Sequence, residues 1–277
     1  MSQKKLFCQR GPLAYALSLN KQILTRKLRD AFSRERFARR RSADTLPVVV
    51  HAHSCSLIKR GPGAGDPALQ EGKARNIRLA CSRMDGLIIA PGETFSFWHL
   101  CGKTSRRNGF APGRILVGGV LRPGVGGGLC NLANTIHLLA MHSPLTVTEL
   151  HHHSDALAPD PGGVRRPYSA GTSVSYNYID LRLRNDTDRP LQLCLRCHDD
   201  AMTAELRTTA AFPHAYRIVE EDHHFTRADD GHYYRISRIF RETLDRVTGA
   251  VLARELKWNN RSRVMFDPSL LPPELIR

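Results

Sequence analysis

Gly126-Gly127-Gly128-Leu129-Cys130 places a thiol directly after three glycines and at the head of an apolar repeat. The thiolate is the reactive form of cysteine, and the free N–H groups of a helix's first turn favour it. Cys130 is therefore the leading candidate catalytic residue, and it should be unusually acidic if exposed. The competing reading is a small buried hydrophobe beneath a glycine bend. Downstream lies His151-His152-His153. On a strand, His151 and His153 share one face and His152 takes the other. Either of the first two could hold the Cys130 proton and later protonate a leaving amine, as in thiol acyl-transfer enzymes. The N–H groups of Gly128 to Cys130 could form the accompanying oxyanion site.

Other chemistries fit less well. Three consecutive histidines cannot all point one way, so at most His151 and His153 could share an ion, and neither a metal nor another cofactor is expected. Cys194-Leu195-Arg196-Cys197-His198 matches the c-type haem attachment spacing, but Leu191, Leu193 and Leu195 alternate with polar positions, so the two cysteines should diverge across a strand. Gly124 to Gly128 lacks the Gly-Lys-Ser/Thr ending of a phosphate loop. Glu93 sits in Pro91-Gly92-Glu93-Thr94, where it either contacts substrate or caps a turn.

These groups must be positioned by neighbouring elements. Leu129, Leu132, Ala133, Ile136, Leu139 and Ala140 recur at spacings of three and four, predicting an amphipathic helix from about 129 to 142 that ends before Pro144. A second helix is expected over 70–85. Strands are expected at 46–53, 87–90, 94–98, 146–153, 172–178, 179–184, 191–198, 216–219, 233–243 and 250–258. A hairpin should pair 115–117 with 119–121 across Gly118-Gly119, and 61–67 should be a loop. Few helices and many antiparallel strands indicate an α+β fold.

Charge is concentrated at one end. Residues 1–42 hold twelve Lys/Arg against Asp30 and Glu35, which is +10 of the chain's +15. Leu13, Leu17, Leu24, Leu28 and Phe32 could form one face of a basic helix resting on an anionic membrane surface. Nucleic acid is a weaker candidate partner, and the oligomeric state is open. No apolar run approaches the ~20 residues of a membrane-spanning helix, and the basic N-terminus is not followed by a signal-type apolar segment. Seven cysteines at scattered spacings do not form a disulfide framework. The expected location is the cytoplasm, with peripheral contact at the inner membrane face.

Pro91-Gly92-Glu93-Thr94-Phe95-Ser96-Phe97-Trp98, Gly126-Gly127-Gly128-Leu129-Cys130-Asn131, His151-His152-His153-Ser154 and the run from Asp180 to Asp188 resemble the VanW family in order and spacing, over about residues 45 to 260. The charge distribution sets apart a basic helical extension at 1–44, and the resemblance implies a main domain at 45–265, whose part at 172–265 is β-rich, followed by a tail at 266–277. It also implies a setting in vancomycin resistance and cell-wall metabolism, with a peptidoglycan precursor or related peptide as substrate. The expected catalytic set is then Cys130 with His151 or His153, oriented by Asp180 or Asp155. Gly126, Gly127, Gly128, Asn131 and Glu93 are the expected substrate contacts. Asn131 and Ala133 stand where the family usually has Gln and Ser. A non-catalytic accessory or binding protein that holds an envelope precursor in a groove lined by Gly126, Gly127 and Gly128, with Cys130 structural, is the alternative function.

Overall fold

The computed structural model describes residues 6–58, 66–117, 120–153, 155–156, 159–160 and 171–277. It is an α+β fold of mainly antiparallel sheets. Gly118-Gly119, Ser154 and the 61–65 part of the expected loop lie outside the described residues.

The central layer is a sheet in the order β2 (Val48–Ser56), β11 (Ala201–Thr208), β10 (Leu191–His198), β3 (Leu87–Ile89). Against it pack α2 (Pro67–Met84) and α4 (Leu129–Met141). Ile77, Ala80, Met84, Leu132, Ile136 and Leu139 meet Leu193, Leu195, Met202 and Leu206 in one buried core. Removing so much apolar side chain from water is the main stabilising force. Local signals set the helix starts. Asp66 caps α2 by accepting from the Ala68 N–H at 2.8 Å, with Pro67 at the first helical position. Behind the sheet, buried Gln192 donates to the Ser42 and Asp44 carbonyls and accepts from the Leu46 N–H at 2.7 Å. The N-terminal chain thus covers the face of β10 that the helices leave open.

A second sheet has the order β1 (Arg36–Phe37), β4 (Glu93–Ser96), β9 (Arg182–Arg184), β7 (Thr146–Glu149). A third joins the long strands β12 (His214–Arg227), β13 (Tyr233–Asp245) and β14 (Val251–Val264) with β8 (Asp155–Ala156). The hairpin of β5 (Pro112–Val117) and β6 (Val120–Val125) leads into α4, and α1 (Pro12–Phe32) lies before β1.

Several expected strands differ. β4 stops at Ser96 because the Ser96 hydroxyl caps a short helix, α3 (Phe97–Cys101), by accepting from the His99 N–H at 3.3 Å. β7 ends at Glu149, so His151 to His153 do not continue it. Between 172 and 179 there are only isolated bridges, His152 with Thr172 and Ser175 with Ile179, because Asn177 turns the chain at φ 52°. β11 was not anticipated. Its Ala, Met, Glu and Leu are good helix formers, and it becomes a strand because the tight Asp199-Asp200 return lays it between β10 and β2, which pair it on both sides.

Candidate functional site

The three glycines are required by the protein's own backbone. Gly126 and Gly128 have φ of 83° and 98°, in the region that favours glycine. At Gly127 a Cβ would collide with the Gly113 and Arg114 backbone. Asn76, fully buried on α2, donates to the Gly127 and Ala111 carbonyls at 2.9 Å each and accepts from the Ala111 N–H at 2.8 Å. The bend is therefore stitched to α2 and β5, so the expected glycine-lined groove is filled by protein. Asn76 was missed by sequence reasoning; its signal was an amide among the apolar positions of an amphipathic helix.

Cys130 is next in the chain. Its thiol donates to the Val174 carbonyl at 3.6 Å and accepts from the Val174 N–H at 3.5 Å. Burial pushes its pKa up, and the Val174 and Cys130 N–H groups only partly oppose this. The sequence predicts an acidic thiol for an exposed Cys130, and here the residue is half-buried: the helix N-terminus is present, but loss of solvent outweighs it. One turn on, Asn134 accepts from the Thr172 N–H and hydroxyl at 3.2 and 3.1 Å. One further turn on, His137 Nδ1 lies 3.0 Å from the Thr172 hydroxyl. With that hydroxyl proton given to Asn134, His137 donates from Nδ1. Burial lowers its pKa to about 3, which keeps the ring neutral. Cys130, Asn134 and His137 thus form a polar stripe along α4 that satisfies the extended segment 172–174.

The expected histidine partners lie elsewhere. His151 is exposed and its Nε2 sits 3.2 Å from Glu149. His153 donates its backbone N–H to Gly171 at 2.6 Å, and burial lowers the pKa of its ring. His152 stacks on Trp258 with ring centres 4.2 Å apart. No hydrogen bond among the described residues joins His151 or His153 to Cys130. The physical reason is the early end of β7, which removes the common strand face.

Asp180 is buried and receives four donors: the Ser96 hydroxyl at 2.6 Å, Arg182 Nε at 3.0 Å, and the Trp98 and Leu181 N–H groups at 3.2 and 2.9 Å. Burial still raises its pKa. It braces β4 and β9 and orients no imidazole; Asp155 sits on β8, where its charge favours protonation of His153. Glu93 accepts from the Ala90 N–H at 3.0 Å and closes its own turn. Asn131 Oδ1 faces the Cys55 thiol at 3.9 Å. Cys194 is buried in β10 while Cys197 is half-buried, and all seven cysteines are free thiols. Among the described residues no group of three or more His, Cys, Asp or Glu is placed to hold a metal ion.

An ionic cluster links Asp180 to α1. Arg182 contacts both oxygens of Asp30 at 2.8 and 2.7 Å and Glu35 at 2.7 Å. One turn away on α1, Arg26 makes a two-pronged pair with Glu149 at 2.6 and 2.5 Å. Burial would raise the Glu149 pKa, but Arg26 holds it below the ordinary carboxylate range. α1 is thereby held against β7 and β9, and a cleft of about 360 Å³ opens beside it. Trp98, Tyr176 and Phe37 supply its aromatic walls; Lys27, Arg39 and His99 supply its polar edge. The Trp98 indole N–H is given to the Ile179 carbonyl at 2.8 Å and its buried ring packs edge-on against Tyr176 with centres 5.6 Å apart, so Trp98 forms the floor of the cleft and half-buried Tyr176 its more open ring. No ion pair with a described residue engages Lys27 or Arg39.

The segment from α2 through Trp98, the glycine bend and Asp180 to β11 is also what the family comparison selects: the model for "VanW like protein" matches residues 72–207. The chain belongs to the VanW family. It is 28% identical over 222 residues to the vancomycin B-type resistance protein VanW of Enterococcus faecalis, covering 80% of each chain. It is 27% identical over 134 residues to the uncharacterized protein YoaR of Bacillus subtilis, covering 48% of this chain and 42% of that one. No solved structure matches. The VanW-matched span thus contains the α4 seam and the β4–α3 wall of the cleft, while α1 with Lys27 and Asp30 lies outside it.

Proposed function

We propose that this VanW-family protein is a binding or accessory protein for an anionic cell-envelope precursor, held in the cleft between α1 and the Trp98–Tyr176 wall. The observation that carries the reading is one cleft of about 360 Å³ in which the half-buried Tyr176 ring, backed by Trp98, faces Lys27 and Arg39, two cations with no ion pair to a described residue. Aromatic rings offer a stacking surface to a sugar or peptide, and two cations attract a carboxylate or diphosphate. The name of the Enterococcus faecalis relative supplies the setting of vancomycin resistance, and a precursor of peptidoglycan is the ligand class we propose for that setting. The half-buried thiol of Cys130, with both its hydrogen bonds spent on the Val174 backbone and its pKa raised, favours binding over acyl transfer as the role of this fold.

The test uses Trp98 as reporter. The chain has two tryptophans, so Trp258→Phe leaves Trp98 as the single indole. Titration with a UDP-linked muramyl peptide should give saturable fluorescence quenching, weakened about tenfold or more by Lys27→Glu combined with Arg39→Glu, a loss of about 1.4 kcal/mol or more. Absence of quenching at millimolar ligand overturns the proposal. So does cleavage or transfer on that peptide that disappears in Cys130→Ser.

A further inference from the structure

The fold holds α1 by one face and leaves the opposite face bare. At about 100° per residue, Arg26 and Asp30 point toward Glu149 and Arg182, while Leu13, Leu17, Leu24 and Leu28 form a stripe on the far side. These leucines are 74%, 55%, 58% and 50% exposed, and Phe32 extends the stripe at 85%. On a water-soluble surface helix the apolar stripe normally faces the core. Here the reverse holds, because two ionic clamps rather than leucines attach the helix. Lys21 and Lys27 flank the stripe on its two sides, and neither is ion-paired with a described residue.

We propose that the outer face of α1 is an interfacial docking surface for an anionic phospholipid bilayer, with the five apolar side chains entering the headgroup region and Lys21 and Lys27 reaching its phosphates. Long cationic side chains beside an apolar stripe suit that boundary, since their stems lie along hydrocarbon while their ammonium groups stay wet. Charge selects lipid over a second copy of the chain. A dimer through this face would bring together two segments of +10 each, whereas an anionic surface neutralises that charge. No described helix is long and apolar enough to cross a membrane, so the contact is parallel to the surface. The docking face shares Lys27 with the edge of the cleft but none of its aromatic residues, and the inference stands without the ligand reading above.

The full chain is tested by co-sedimentation with phosphatidylcholine vesicles with and without phosphatidylglycerol. Binding is expected only with the anionic lipid and should fall steeply as salt is raised. Leu17→Gln combined with Leu24→Gln should weaken it about tenfold or more, and Lys21→Glu should weaken it about fivefold. Neither variant touches Arg26 or Asp30, and an unchanged circular dichroism spectrum and thermal unfolding midpoint serve as the control that each is folded. Equal binding to pure phosphatidylcholine, or full vesicle binding by the leucine variant, overturns the proposal. A concentration-dependent dimer in sedimentation equilibrium that the leucine variant abolishes also overturns it, in favour of a second copy.

Discussion

The seam along α4 and the cleft beside α1 both lie close to segment 172–180, yet they treat polar groups in opposite ways. Along α4, Cys130, Asn134 and His137 turn their polar atoms onto the Thr172 and Val174 groups. Beside α1, the acids are consumed by Arg26 and Arg182, and the cations Lys27 and Arg39 are left facing an open cleft. A buried polar atom without a partner costs about 1–3 kcal/mol, so the seam is built to leave nothing for a ligand. The open cleft keeps two cations at its edge, and the anion proposed above would meet them there. The difference teaches that the thiol best suited to chemistry by type has its hydrogen bonds spent on the Val174 backbone, while the residues proposed above to bind are of ordinary type.

The sharpest way to break this comparison is at the bend. Gly127→Ala should cost about 3 kcal/mol or more, because the added methyl meets backbone that cannot rotate away; chemical denaturation measures it, and a cost below about 1 kcal/mol would show that the bend yields. Removing the centre of the ionic cluster comes next. Arg182→Ala strands buried Asp180 and Asp30 and should destabilise by about 3–5 kcal/mol, with α1 released to proteases first. Retention of protease resistance at α1 would show that the Arg26–Glu149 clamp suffices.

Acid sensitivity separates the regions further. His137, His51 and His152 have pKa values lowered to about 3, 4 and 4 by burial, against an ordinary 6.5. The unfolded chain therefore takes up protons below that ordinary value while the folded chain does not. The contribution is fully present above pH 6.5 and is lost as pH falls toward those lowered values. At about pH 5, fully buried His137 alone should account for about 2 kcal/mol. His137→Gln, which keeps a donor for Thr172, should reduce the stability difference between about pH 8 and about pH 5 by that amount. An unchanged difference would place the acid sensitivity elsewhere.

The smallest effect is expected at the most conspicuous residue. Cys130→Ser should cost about 1 kcal/mol, by exchanging a sulfur for a shorter-reaching oxygen at Val174, and should leave ligand affinity in the cleft unchanged. In the folded protein Cys130 should alkylate far more slowly than Cys8, whose position precedes α1. Rapid Cys130 alkylation at neutral pH would make the seam, not the cleft, the reactive region.

Much was legible in the chain before any tertiary contact was known. The periodicity of Leu129 to Ala140 placed α4 to within a residue of its observed end, and the alternation of Leu191, Leu193 and Leu195 placed β10. The family likeness at Pro91 to Trp98 and Gly126 to Asn131 was also a property of the sequence. Local patterns carry such information because a helix or strand buries a repeating face, and the repeat is written in neighbouring residues. β11 was not legible, since its pairing was decided by β10 and β2 on either side. Whether Cys130 is acidic depended on the Val174 backbone, 44 residues away, and on how much water is excluded there. The cleft depended on Arg26 and Asp30 finding Glu149 and Arg182 more than 120 residues later. Sequence determined the elements and the charge of α1; burial and long-range pairing, which no local spacing encodes, decided which groups remained available to a ligand.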